Sequence, residues 1–500
     1  MNILLMAMPD IIFGYSDKIV TPPNLALSSL AGNLNKKHRV RTADLVLKRK
    51  DVKGAVIEAL SKTNPDIVGL SAMAFQYHTA ARIAEFIKNR HPNIKIALGG
   101  YHATLMYKEI AAGKDNAFFD FIFRGESELS FNEAVNILEA GGNLKTIGGL
   151  SFKKNGSFIH NKKRELEDLS KIKLPDRSVR LWNNLNVLKA PIATVEFSRG
   201  CLMSCNFCNI RMMYGESFRA YKTERVIRDL DNAKRSGARI IFFADDNITL
   251  DARKFEHLCD EIIKHGHDDL FYCVQASSAG IASSERLAEK MARAGFTYVF
   301  LGIENALKKN LKALRKGDIV NKSKQAVHYL QKYGILVAGG LIIGNPEDNT
   351  ESIKESYKFI SDLKIDFADV QILVPYPKTP IREKLLKKSY VINEDDYRHY
   401  NGCFANIRTK YLSDEELDFL KFTFRKKYLK SRNINALKAF MKKKKQFLRL
   451  FKDGITVMPT LLKLILAENI NTHFLTEEKS FRKHLKKKTE LNKFNIKKDM

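Results

Sequence analysis

Cysteine is absent from the first 200 residues and occurs only six times in 500, a distribution that excludes a disulfide-stapled scaffold. Long apolar runs are missing as well. None reaches the ~18–20 residues a membrane span needs, and the opening MNILLMAMPD has neither the basic n-region nor the cleavage site of a secretory signal. The expected location is cytoplasmic. Acidic residues are also few: 56 Asp and Glu face 85 Lys and Arg, for a formal net charge of +29. Residues 411–500 alone hold 23 Lys and Arg against 10 Asp and Glu, so nearly half of the excess lies there. Such charge suits an anionic partner (nucleic acid, a lipid surface or a phosphorylated substrate), and equally a solvated basic face in a Lys-rich proteome.

What is present is a βα rhythm, in two series. Asn2–Met8 reads as a buried strand, and the stretch LALSSLAGNLNKK after Pro22 and Pro23 as a helix. Strands then follow at Asp66–Ala72, Lys95–Gly100 and Phe119–Arg124, with helices at Tyr77–Arg90, Met106–Ala112 and Leu129–Ala140. Residues 1–145 are thus expected to form a doubly wound, Rossmann-like α/β domain whose ligand sits at the carboxyl ends of its strands, where Gly99, Gly100 and Gly125 occur. Residues 146–190 read as a linker with a hairpin around Asn155-Gly156. From Pro191 six further strands alternate with helices up to about residue 385, the pattern of a partial (β/α)6 TIM-type barrel. Residues 386–500 read as a basic helical region, including Met441–Phe451 with its KKKK run and the apolar Ile455–Leu466.

Three of the six cysteines, Cys201, Cys205 and Cys208, fall within eight residues, directly after the first strand of the second series. Barrel enzymes place their chemistry in such loops. Three thiolates can ligate three corners of a cubane cluster and leave the fourth iron open to a small molecule. Zinc would normally show paired CxxC motifs or Cys with His at helical spacing. Cys259, mid-helix, and Cys273, mid-strand, read as buried structural thiols.

The string SRGCLMSCNFC resembles the CxxxCxxC signature of the radical SAM superfamily, including the aromatic Phe207 before the last cysteine. The resemblance implies a [4Fe-4S] cluster on Cys201, Cys205 and Cys208. S-adenosylmethionine (SAM) would chelate the open iron and be cleaved by one electron to a 5′-deoxyadenosyl radical. It further implies SAM contacts from Asp245 and Asp246 after the second strand, from Gln275 on the third, from Glu304 after Gly302 on the fourth, and from Ile342 and Gly344 in the GxIxGxxE pattern on the fifth. An external electron donor of flavodoxin or ferredoxin type is expected with that chemistry.

The segments PPNLALSSLAGNL, DIVGLSAM, LGGYHATL and FRGESE extend the resemblance to the B12-binding, cobalamin-dependent branch. That implies cobalamin lined by Ser71, Gly99, Gly100, His102, Gly125 and Glu126. The chain has no DxHxxG string, so no lower axial histidine is indicated, and His102 is expected to contact polar groups rather than cobalt. An unligated lower face favours methyl donation to a carbon radical, so the expectation is C-methylation of a small-molecule or lipid substrate, with ring closure, rearrangement or oxidation as the alternative. A tRNA methylthiotransferase would carry cluster cysteines in residues 1–200, where there are none. A non-catalytic cobalamin or SAM sensor with a nucleic-acid-contacting tail would have no need of an open iron. Nucleic acid is therefore not the expected partner, whereas peripheral membrane contact of the basic C-terminal region is compatible with a lipid substrate. The YPKTP string at residues 376–380 resembles the YPGTP turn that closes such barrels, with Lys378 in place of the usual glycine.

Overall fold

The computed structural model describes residues 1–9, 22–183, 185–187, 190–424 and 481. Its first sheet begins with β1 (Asn2–Ala7), α1 (Leu25–Asn33), β2 (Arg39–Asp44), α2 (Val52–Thr63), β3 (Ile67–Ser71) and α3 (Tyr77–Arg90). It continues with β4 (Lys95–Gly99), α4 (Tyr101–Ala112), β5 (Phe121–Phe123), α5 (Glu128–Glu139), β6 (Leu150–Lys154) and β7 (Ser157–His160). The strand order is β2-β1-β3-β4-β5-β6-β7, parallel from β2 to β5. Because β1 pairs with both β2 and β3, the winding reverses between β1 and β3, which is where a doubly wound sheet opens a crevice for ligand. The unbroken apolar run of β1 follows from burial on both faces. Its alternate side chains divide between two cores: Leu4 and Met6 join Val68 and Leu70, while Ile3 and Leu5 join Ile67 and Phe131.

Strand β2 and helix α2 fall between α1 and Asp66, where the sequence reading places no element, and two further features differ from expectation. Helix α4 starts at Tyr101, five residues before the start the apolar spacing predicts. Met106 leaves helical geometry (φ −117°, ψ 21°) and breaks the helix into two pieces, of which the periodicity marks only the second. The β6–β7 hairpin turns on Asn155 (φ 50°) and Gly156 (φ 80°) and pairs antiparallel with β5, so it extends the first sheet instead of belonging to a linker.

The second sheet comprises β8 (Asn186–Val187), β9 (Ala190–Val195), β12 (Ile240–Phe243), β13 (Phe271–Ser277), β14 (Phe296–Glu304), β15 (Leu336–Ile343) and β16 (Phe367–Ile372). A small ribbon, β10 (Ser198–Arg199) with β11 (Arg219–Ala220), follows β9 and flanks the short α6 (Ile210–Tyr214). The crossovers are α7 (Thr223–Arg235), α8 (Ala252–Lys264), α9 (Ser278–Ala282), α10 (Glu285–Arg293), α11 (Lys308–Ala313), α12 (Val320–Lys332) and α13 (Thr350–Asp362), with α14 (Pro380–Lys387) after the last strand. The order β16-β15-β14-β13-β12-β9-β8 contains six parallel strands and an antiparallel edge, β8, and forms an open partial barrel. Interleaved aromatic rings fill its core: Tyr272 and Phe296 lie 4.9 Å apart and Phe243 and Phe296 5.9 Å apart.

No described helix is long and apolar enough to cross a membrane. The expected basic helices at Met441–Phe451 and Ile455–Leu466 lie outside the described residues.

Candidate active site

The cysteine loop leaves the carboxyl end of β9 through the β10–β11 ribbon. Gly200 opens it at φ 85°, and a Cβ there would stand 2.4 Å from the Ser217 carbonyl oxygen, so glycine is required. Cys201, Cys205 and Cys208 are free, half-buried thiols. Between the last two, Asn206 is clamped on three sides. Its backbone N–H donates to the Leu314 carbonyl (3.1 Å), its amide nitrogen to the Ala313 carbonyl (2.6 Å), and its carbonyl accepts from the Ile381 N–H (3.1 Å). Phe207 packs against the barrel core.

Burial pushes all three thiols up, Cys208 to about 12, and each of the later two is raised further by its neighbours' charge. Among the described residues no three His, Cys, Asp or Glu are placed to hold a single metal ion. Three cysteines in one short loop match a cubane, which takes one thiolate per iron corner, whereas structural zinc takes four ligands. Burial also pushes up Cys273 on β13 and Cys259, which is wholly buried in the barrel core on α8.

The strand ends around this loop carry the remaining polar groups. Asp245 is committed internally: its carboxylate accepts from the Phe197 N–H (3.0 Å) and from the Ser198 hydroxyl, so it fixes the start of the cysteine loop rather than facing a ligand. Burial lifts it to about 7. Asp246 accepts from the Gly200 N–H, and burial lifts it to about 6. Its charge acts on Cys201, Cys208, Tyr101 and Tyr214. Asn247, the third residue of the same motif, accepts from the Thr249 hydroxyl (2.9 Å) and the Ser277 N–H (3.1 Å) and hydrogen-bonds Cys201.

Gln275 lies two residues inside the end of β13, half-buried, its carbonyl taking the Ile248 N–H (3.1 Å). Glu304 ends β14 at φ 63°, where the pairing with β15 slips, and its carboxylate meets the Lys316 ammonium at 2.8 Å. A Cβ on Gly302 would sit 2.8 Å from that carboxylate and 3.0 Å from that ammonium. Lys316 feels Cys205 and Cys208 in turn. Sequence reasoning missed it, because in KKNLKALRKG it is one lysine among several. On the fifth parallel strand, the Ile342 carbonyl accepts from Asn305 (3.1 Å) and Asn345 (3.3 Å), and Gly344 turns at φ 83° against Ile372, Ile407 and Leu417.

On the first sheet, Ser71 and Gly99 end β3 and β4, Gly100 follows β4, and Gly125 lies beyond β5. Gly100 takes φ 94°, and its Cβ would stand 2.6 Å from the Ala72 carbonyl oxygen. At Gly99 and at Gly125 a Cβ would meet nothing within 4 Å, so both border open space at the ligand edge of the sheet.

Two expectations change here. His102 is not a loop residue with polar contacts. It is the buried second residue of α4, its ring 4.4 Å from Tyr77 and 5.0 Å from Tyr397, with Nδ1 unpartnered, and burial drops it to about 3. Glu126 is held by Arg199 (3.1 Å) and by Arg219 (2.7 and 2.9 Å) of the ribbon. It ties the two sheets together rather than lining a corrin.

Those pairs bring the two ligand edges face to face. Arg199 also reaches Glu128 (2.7 Å) and Glu196 (2.9 Å), and Tyr101, the residue after Gly100, hydrogen-bonds Tyr214 and lies within the field of Cys208 and Asp246. On the far side Lys378 adopts φ 63°, the backbone region a glycine would favour, and pairs with Glu109 of α4.

The family model for the B12 binding domain matches residues 20–135, and that for the Radical SAM superfamily matches residues 195–360. An uncharacterized methyltransferase, PH0819, of Pyrococcus horikoshii is 29% identical over 82% of this chain and 87% of its own length. The anaerobic magnesium-protoporphyrin IX monomethyl ester cyclase of Rubrivivax gelatinosus is 26% identical over 77% of this chain and 73% of its own length. Among solved structures, the cobalamin-dependent S-adenosylmethionine radical enzyme OxsB with aqua-cobalamin and S-adenosylmethionine bound superposes with a TM-score of 0.69 at 17% identity, over 95% of this chain and 76% of that one, a likeness of fold. A radical SAM barrel and a cobalamin domain with facing ligand edges, matched by both family models, make this chain a radical SAM enzyme whose cofactors are a [4Fe-4S] cluster, SAM and cobalamin: it belongs to the B12-binding radical SAM family.

Proposed function

We propose that the protein is a C-methyltransferase that acts on an unactivated carbon of a small-molecule or lipid substrate. The observation that carries this is that Tyr101, which follows the cobalamin-edge glycines, hydrogen-bonds Tyr214 of the cysteine segment and feels Asp246 and Cys208, so that the two ligand edges adjoin. Bound there, the cluster and SAM supply a hydrogen-abstracting radical, and cobalamin supplies a methyl group.

The chain's own residues bind, orient and exclude water. Cys201, Cys205 and Cys208 would hold the cluster, with Phe207 anchoring their loop. Asp246 and Lys316, one carboxylate and one ammonium that both act on the thiols, would hold the amino and carboxylate ends of SAM, with Gln275, Glu304, Ile342 and Gly344 along the strand ends beside them. Ser71, Gly99, Gly100 and Gly125 would admit the corrin. The reducing electron comes from an external flavodoxin- or ferredoxin-type donor, and the basic C-terminal region provides peripheral membrane contact where the substrate is a lipid.

The similarity to a cyclase favours ring closure as the second reading. The test is anaerobic reconstitution with iron, sulfide and hydroxocobalamin, then incubation with methyl-deuterated SAM and a small-molecule and lipid extract of the source cells. A product carrying the labelled methyl, with one SAM spent on the radical and one on the methyl, supports the proposal. Deoxyadenosine together with an unlabelled cyclised or oxidised product replaces it.

A further inference from the structure

Asn206 lies between two of the three clustered cysteines, and the elements that clamp it share one property. Its N–H and amide meet the carbonyls of Leu314 and Ala313 at the end of α11, and its carbonyl meets the Ile381 N–H at the start of α14. Both elements expose lysine. Lys309, Lys312 and Arg315 on and after α11, and Lys384 and Lys387 on α14, are exposed and have no carboxylate partner among the described residues. On the same elements Lys308 takes up Asp318 (2.7 Å), which leaves Glu383 as the exposed carboxylate against five cations. In the cysteine loop itself, Leu202 is 58% exposed, more than any other large apolar residue described. An exposed apolar side chain in the loop that carries the thiols, itself clamped at Asn206 by two elements that expose unpaired cations, is a docking feature rather than an ordinary solvated face.

We propose that this face, α11 and α14 around the cysteine loop, is where a small acidic one-electron carrier protein docks to reduce the cluster. The inference rests on the radical SAM reading. One electron leaves the carrier and the cluster gains it; no atom is transferred. Electron-transfer encounters use small interfaces of under ~1,200 Å² and depend on charge to find them. A patch with an excess of cations on the two elements that hold Asn206, the residue after Cys205, meets the second of these requirements. Steering of this kind is worth a factor of roughly 10 to 1,000 in association rate at low salt and is screened beyond ~10 Å at 0.1 M.

The experiment uses the reconstituted full chain and a pre-reduced flavodoxin of net negative charge. Stopped-flow absorbance reads the second-order rate of cluster reduction, and calorimetry reads the Kd for oxidised flavodoxin. The variants are Lys309→Glu/Lys312→Glu and Lys384→Glu/Lys387→Glu, with Lys324→Glu/Lys354→Glu on the outer helices α12 and α13 as the charge-matched control. Each patch variant is expected to lose at least about tenfold in rate, to raise Kd, and to flatten the salt dependence of the wild type. Dithionite, which needs no docking, should reduce all four proteins alike. Wild-type rates in the patch variants, or an equal loss in the control, would overturn the docking face. Failure of dithionite to yield deoxyadenosine from SAM in the wild type would instead overturn the reading on which it rests.

Discussion

Two adjacent glycines make opposite predictions, and the contrast tests where the corrin sits. Gly100 takes φ 94°, and its Cβ would lie 2.6 Å from the Ala72 carbonyl oxygen and 2.9 Å from the Ala72 nitrogen. Gly100→Ala therefore incurs about 1–2 kcal/mol of left-handed strain and about 1–3 kcal/mol of overpacking. Together these lower the stability of the first domain by about 2–5 kcal/mol, with or without cofactor. Gly99 has neither problem: it is not among the positive-φ residues, and its Cβ would meet nothing within 4 Å. Gly99→Val should leave the apo domain unharmed, or steady it by about 0.4–1 kcal/mol through the lost freedom of the unfolded chain. The valine would, however, stand in the space the cofactor needs. Hydroxocobalamin affinity should fall at least about tenfold, or about 1.4 kcal/mol. Thermal melts of the apo proteins and equilibrium dialysis with hydroxocobalamin separate the effects. Gly99→Val binding with wild-type affinity would refute this placement of the corrin, and Gly99→Val melting as low as Gly100→Ala would refute the steric argument.

Cys208→Ala should abolish iron retention after reconstitution and with it SAM cleavage, while circular dichroism stays unchanged because the thiol lies half-buried in a loop. Arg199→Met strips the cation from Glu128 and Glu196, both held within 2.9 Å, and should destabilise the joined domains by about 3–5 kcal/mol, read by urea unfolding and by proteolysis of the segment between the sheets. His102 is held near 3 in the folded state by burial, below its usual 6.5. Below pH 6.5 the unfolded chain binds a proton that the folded chain refuses, so stability falls as pH drops from about 6.5 towards 3, by up to about 1.4 kcal/mol per pH unit. In His102→Phe the acid slope should lessen by that amount, the remainder coming from His78, His160 and His267, which burial also lowers, as melts across this range would show. Lys316→Met should raise the Kd for SAM by on the order of tenfold with iron content intact, and Lys316→Arg should recover part of the loss; an unchanged Kd would remove Lys316 from the SAM site.

Much of this was legible because period and spacing are local signals. The buried runs of β1 and β3 and the CxxxCxxC string carry their meaning within a few residues. What could not be read were facts of pairing between distant segments. Glu126 occurs in FRGESE after β5 and looks like any strand-end carboxylate until Arg199 and Arg219 are seen to close on it. Asp245 and Asp246 are neighbours in sequence, yet one turns back to the Phe197 N–H and the other faces the thiols. The two sides of a strand end decide that, and the sequence does not mark which side is which. The hairpin at Asn155-Gly156 was legible as a turn, but not its attachment to β5, which depends on an edge left open by the first sheet.

Ion pairs gather where the two sheets meet and beside the thiols. Lys378 and Glu304 both take backbone angles that side chains avoid, and each ends in an ion pair, Lys378 with Glu109 across the domains and Glu304 with Lys316 beside the thiols. The buried Arg199 draws in three carboxylates, from both domains. Buried ion pairs of this kind add little net stability over well-packed apolar groups, but an arrangement that separates them leaves charges unpaired and is strongly penalised. They therefore select one docking geometry. Arg199 immediately precedes Gly200 and Cys201, so the residue that fixes the cobalamin domain also fixes the first turn of the cysteine loop. Misplacing one domain would displace the other's ligands, and this coupling holds the two cofactor edges in register.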